Sequence, residues 1–197
     1  MGFFYIKNWY PFLTPLLTFL IGSFSIFGLI NIGKLIKNKL RININNIWGD
    51  IINLILGVFT FSLFVQIISF LKLNNKFSLG ILAIFLILFG FKKIPFRRLT
   101  IPKIDKKSLI PSSILIAIFL VRIFISVIPS TKIDELYYHM LLPLRLLNET
   151  GLNFYSVPWE GAIWPHMHYQ FIGAPFYAIG LPDSVNIISL GIFITFL

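Results

Sequence analysis

Long apolar runs separated by short polar breaks make up this chain, and within each run the hydrophobic residues are continuous rather than alternating. Three runs, Phe12 to Ile32, Ile51 to Leu71 and Leu109 to Pro129, are long enough to cross a bilayer as helices. A crossing of about 30 Å of hydrocarbon takes about 20 residues at about 1.5 Å each. Phe77 to Phe91 is shorter, about 22 Å as a helix, and Lys76 and Lys92 flank it with amines that can extend toward water. Phe171 to Leu181 is a candidate fifth span, and Val185 to Leu197 begins a sixth that the chain leaves incomplete. A transmembrane barrel would show strict alternation along strands, so helices are expected.

Composition strengthens this reading. The chain is 57% hydrophobic and 12% charged, against about 25% charged in a typical soluble domain, and its mean hydropathy is +0.86. Twenty-two phenylalanines have no room in the core of a 197-residue soluble protein. The expected fold class is all-α, a polytopic transmembrane helical bundle in the cytoplasmic (inner) membrane, surrounded by membrane lipids. With no cysteine, disulfide frameworks, thiol nucleophiles and Cys-based zinc sites are excluded. Only Lys7 precedes the first apolar run and no small-residue cleavage site follows it, so a span rather than a signal peptide is expected there.

The net charge of +10 changes the picture less than its size suggests. The basic residues cluster in two blocks between apolar runs: Lys34, Lys37, Lys39 and Arg41, then Lys92, Lys93, Arg97, Arg98, Lys103, Lys106 and Lys107. Those are the positions of topology determinants, and no nucleic-acid partner is expected. If the second and third runs both cross, the two blocks share one side, and the positive-inside rule makes that side the cytoplasm. The N-terminus, the Lys72 to Ser78 loop and the loop from Ser130 to about Tyr169 then face outward. Arg122 lies within the fourth span, where snorkelling or a bundle-facing position is expected.

Chemistry concentrates in that last loop. It holds Asp134, Glu135, Glu149 and Glu160, all three histidines, and two of the four tryptophans. Thr131 to Asn148 is expected to form an interfacial helix, with Thr131 and Asp134 in a capping-box pattern, Gly151 just past its end, and Pro143 kinking or splitting it. Asp134 and Glu135 suit a first helical turn, where capping and the helix dipole explain them at about 1 kcal/mol. One acid suffices for a cap, however, and the second stands beside Tyr137, Tyr138 and His139. A partly desolvated carboxylate at the mouth of a span can act as a general base, worth roughly 10²–10⁴-fold in rate. Its neighbour can orient it or hold a cation. Glu135 and His139 share a helix face, and with Asp134 they form the candidate set for a divalent metal, to which His166 and His168 can add. Trp159 and Trp164 suit the headgroup level or a sugar face, and Arg145 suits a lipid phosphate.

The run Asp134-Glu135-Leu136-Tyr137-Tyr138-His139, followed by Pro143, Gly151, Pro165 and Tyr169, resembles the start of a GT-C glycosyltransferase module of the family 39 and protein mannosyltransferase-like group. The resemblance covers roughly Pro129 to Gly180. It implies a polyprenyl-phosphate-linked sugar donor, inverting transfer to a cell-envelope acceptor, Asp134 or Glu135 as base (Asp134 foremost), and a divalent metal in some members. Tyr137, Tyr138, His139, Arg145, Trp159, Trp164, His166 and His168 become candidate substrate contacts. The family's acidic loop usually follows the first span, whereas three spans precede it here, and its module continues through further spans. The expected organisation is therefore 1–108, three helices with basic cytoplasmic loops, and 109–197, the start of a GT-C-like module that a C-terminal partner polypeptide would complete. Two other functions remain open: a transporter or flippase fragment in which Asp134, Glu135 and His139 carry protons or a cation, and a non-catalytic membrane protein.

Overall fold

The computed structural model describes residues 13–42, 47–91, 109–127, 141–149, 151 and 167–195. All secondary structure among them is α-helical. The helices are α1 (Leu13–Lys39), α2 (Ile47–Phe70), α3 (Lys76–Phe91), α4 (Leu109–Val127), α5 (Leu141–Asn148), α6 (Met167–Ala178) and α7 (Ser184–Thr195). Two of them, Leu13–Lys39 and Gly49–Phe70, are long and apolar enough to cross a membrane.

The first four helices follow the apolar runs, with one extension. α1 continues past Ile32 to Lys39, so Lys34, Lys37 and Lys39 ride on the helix rather than on the loop expected there. Nothing between Ile32 and Lys39 breaks a helix, and straight-chain lysines favour one. α1 stops at Arg41, whose φ of 56° is left-handed. Ile42 N–H donates to Lys37 O and Arg41 N–H to Asn38 O, both at 3.1 Å, a Schellman closure. α2 ends the same way at Lys72 (φ 60°), with Leu73 N–H on Ile68 O at 2.9 Å and Lys72 N–H on Ser69 O at 3.1 Å. Two residues on, α3 opens with a reciprocal cap. Ser78 N–H donates to Asn75 Oδ1 at 2.9 Å and Asn75 N–H to Ser78 Oγ at 3.1 Å, a serine version of the capping box.

α1 is the centre of the packing. Its buried residues, Thr18, Gly22, Ser25, Gly28, Leu29, Gly33 and Lys37, recur at helical spacing and are mostly small. Small residues let backbones touch. A Cβ on Gly33 would overlap the carbonyl of Asn53, and one on Gly57 the carbonyl of Leu29. On the α3 side, a Cβ on Gly28 would overlap the carbonyl of Leu86, and one on Gly90 that of Phe24. This small-residue approach is the packing expected where helices gain nothing from hiding apolar surface and depend on close van der Waals contact. Asn31 Nδ2 donates to Phe89 O at 2.9 Å, and the rings of Phe24 and Phe91 stack with centroids 3.7 Å apart.

α2 and α3 share a turn but barely touch each other; α1 and α6 pack against both. Large apolar side chains face outward on the far sides: Ile55, Phe59, Leu63 and Ile67 on α2, Ile81, Phe85 and Leu88 on α3. α4 is the extreme case, with Ile114, Ile116, Ile118, Leu120, Val121, Phe124 and Ile125 all exposed and with α7 and α1 as its helix partners. Arg122 also lies on its exposed surface. Contiguous apolar surface on this scale marks a lipid- or protein-facing exterior.

The last two helices differ from the two successive spans expected. α6 has 12 residues, a length of about 18 Å that is too short to cross. It ends in a third Schellman closure at Gly180 (φ 78°), with Leu181 N–H on Phe176 O at 2.9 Å and Gly180 N–H on Tyr177 O at 3.1 Å. Pro182 and Asp183 then restart the chain as α7. Gly22 of α1 packs on Ser184 and Ile187, and Ile26 packs on Gly191, so α7 runs parallel to α1. A returning sixth span after a crossing fifth would run antiparallel to it. The physical cause is the Gly180-Leu181-Pro182-Asp183 turn, which stops α6 inside the bundle: Leu181 is 5% exposed and Asp183 8%.

Candidate functional site

Most residues selected from the sequence lie outside the described residues: Asp134, Glu135, Tyr137, Tyr138, His139, Trp159, Trp164 and His166. His168 falls on α6, where its backbone alone is described. Arg145 is half-buried on α5. Of the interfacial helix expected over Thr131 to Asn148, the described part is Leu141–Asn148, with Pro143 in its first turn. There a proline is tolerated, because its missing N–H has no intrahelical partner to lose. Among the described residues no group of three or more His, Asp or Glu could hold a metal; the expected metal set of Asp134, Glu135 and His139 lies outside them.

The structure does define the frame on which these residues are strung. Segment 128–140 leads into α5, Gly151 leads out of it, and segment 152–166 leads into α6. α5 and α6 pack on each other, with Pro143 Cγ 3.4 Å from the point where a Gly173 Cβ would lie. α6 in turn packs on α2 and α3, and its end meets α3 at Gly80 and Ile179. The frame therefore belongs to the end of the bundle that carries the α2–α3 turn, opposite Lys34, Lys37, Lys39 and Arg41.

One side chain ties the frame down. Asn74, in the α2–α3 turn, is 2% exposed. Its Nδ2 donates to Leu146 O at 2.6 Å and to Glu149 O at 2.8 Å, and its Oδ1 accepts from Gly151 N–H at 2.8 Å. The last carbonyls of a helix run out of helical partners; Glu149 N–H still serves Arg145 O at 2.7 Å, and Asn74 serves Leu146 O and Glu149 O from a segment more than seventy residues away. Gly151 is required beside it. Its φ of 95° is a conformation that side chains disfavour, and a Cβ there would lie 3.0 Å from Lys72 Cγ. Asn148 Nδ2 closes the same helix end from within, donating to Leu144 O at 2.9 Å.

Gly151 was legible as the helix stop. Asn74 was not singled out, although a signal existed: Asn74 and Asn75 stand together in a turn where one amide suffices to cap α3. Asp183 was also passed over. It lies between apolar runs in the sequence, yet it is buried where α7 begins, with Ser184 fully buried beside it and Ser184 Oγ without a hydrogen-bond partner among the described residues.

No protein-family model matches this chain, and no curated protein or solved structure matches it.

Proposed function

We propose that the chain is a multi-pass protein of the cytoplasmic membrane and a GT-C-like glycosyltransferase module. In this reading it transfers a sugar from a polyprenyl-phosphate-linked donor to a cell-envelope acceptor. Asp134 is the general base and Glu135 its partner, with Tyr137, Tyr138, His139, Arg145, Trp159, Trp164, His166 and His168 as contacts to the donor, the acceptor or a divalent metal. The observation that carries the proposal is the anchoring of α5. The segment bearing the acidic pair runs directly into a short amphipathic helix pinned at the rim of an apolar bundle. A base at such a rim has lipid on one side, for a membrane-borne donor, and water on the other, for the acceptor. Partial desolvation there raises a carboxylate's basicity toward a hydroxyl.

The helix directions support the accompanying topology. With the N-terminus outside, α1 runs inward, α2 outward, α3 inward and α4 outward, and α7, parallel to α1, runs inward again. α6 then belongs to the outer half, with the loop that precedes it. The chain's lack of cysteine makes single-cysteine labelling clean. Probes at positions 150 and 103 should react from opposite sides, and labelling of both from one side would contradict the topology. For the chemistry, Asp134→Asn should abolish transfer of a radiolabelled sugar from the polyprenyl-phosphate donor while expression and membrane insertion stay normal. Undiminished transfer in that variant would exclude Asp134 as the base.

Asp183 favours a second reading. A buried acid within a helical membrane bundle is a common mark of a proton or cation pathway, so the module would be a transporter or flippase. Proton-coupled uptake into vesicles that is lost in Asp183→Asn and kept in Asp134→Asn would select it over the transferase.

A further inference from the structure

We infer that Asn74 is a positioning residue: it holds the joint between the two halves of the outer segment, and through that joint it sets the reactive geometry. The inference rests on the transferase reading for its catalytic part and on the structure alone for the anchor. An amide can donate twice and accept twice. Asn74 uses both donors on carbonyls at or just beyond the end of α5 and an acceptor on the N–H of Gly151. Those partners straddle the point where the chain leaves the helix. Fixing them sets both the axis of α5 and the direction in which the chain departs.

Three features make the anchor specific. Asn74 is buried, so water does not stand ready to replace its bonds. Its own position is fixed from both sides, by the Schellman closure of α2 at Lys72 and by the Asn75–Ser78 cap of α3. Ser78 Oγ also reaches back to Leu73 O. Finally, α2 and α3 diverge from this turn, so a tilt between them reaches α5 through the bonds of Asn74 as well as through the packing of α6. Asparagine suits the position better than its near-isosteres. Asp would keep the acceptor for Gly151 but present a carboxylate to two carbonyl oxygens, and Leu would keep the volume and lose every bond.

The test compares the full chain, Asn74→Asp and Asn74→Leu, in native membranes and in nanodiscs. Amide hydrogen exchange reads the anchor. In Asn74→Leu, exchange at Gly151 should rise by about ten-fold or more, because a buried donor has lost its acceptor, while peptides from α1 and α2 stay protected. In Asn74→Asp, Gly151 should stay close to the parent. Unchanged exchange at Gly151 in Asn74→Leu overturns the inference. Kinetics of sugar transfer read the positioning: kcat should fall about ten-fold or more in Asn74→Leu with KM little changed, as for loss of alignment rather than of binding. Faster exchange with full kcat overturns the positioning role and leaves the transferase reading intact. A parent protein that transfers no sugar overturns the transferase reading and the catalytic role with it, and the exchange result then decides the anchor on its own.

Discussion

At the crossing of α1 with α2, Gly33 and Gly57 bring two backbones together with no side chain between them. At the corner where α5 meets the α2–α3 turn, the side chain of Asn74 bridges two segments with three hydrogen bonds. The first joint depends on atoms that are missing and the second on atoms that are present. The two therefore fail differently. The glycine crossing has no directional bonds to lose, but it cannot admit a single added carbon. The asparagine corner can lose volume, but it cannot lose polarity, because a buried carbonyl or N–H without a partner costs free energy that its apolar surroundings do not return.

The sharpest way to break this contrast is to add bulk at the crossing. Gly33→Leu should destabilise the bundle by more than about 3 kcal/mol, since its Cβ meets backbone that cannot step aside, and size-exclusion profiles in detergent should lose the monodisperse peak. A Gly33→Leu protein with unchanged melting would mean that α1 and α2 are held by something else. The corner comes next. Asn74→Ala should cost about 2–3 kcal/mol, seen as a lowered melting temperature in nanodiscs, with the α1–α2 contact intact by cross-linking between engineered cysteines. Third, Gly151→Ala should cost about 1–2 kcal/mol from its left-handed φ, and the same melting assay measures it. The smallest effects have the opposite sign. Arg41→Gly should stabilise by about 0.5 kcal/mol by relieving a left-handed cap. Lys72→Gly should gain less, because Lys72 also packs its chain against Gly151. Equal gains at the two positions would remove Lys72 from the corner.

Much of the fold was legible because apolar runs and helix length report directly on backbone hydrogen bonding. Leu109 to Pro129 became α4 and Phe77 to Phe91 became α3 with little adjustment. Gly151 was legible for a similarly local reason, since a helix end calls for a residue at ease with positive φ. Phe171 to Leu181 misled, because an apolar stretch around Pro175 does not disclose whether it crosses or plugs; the neighbouring Gly180-Leu181-Pro182-Asp183 turn and the α1–α7 contact decided that. Within the candidate site, Asp134, Glu135, the tyrosines and the histidines were selected from residue type and order alone. Asn74, which holds the frame around them, shows locally only as a second amide beside Asn75; which segment it bonds, more than seventy residues on, has no local mark.

What the sequence determined by itself was the all-helical class and the positions of the four long helices, because each follows from local hydrogen bonding, capping and continuous apolar runs. The tertiary structure alone decided which glycines become backbone contacts, that α7 runs alongside α1, that Asp183 is buried, and that Asn74 reaches α5. These depend on which segments meet in space, and side-chain contacts between residues more than seventy positions apart leave no periodicity in a single chain to be read.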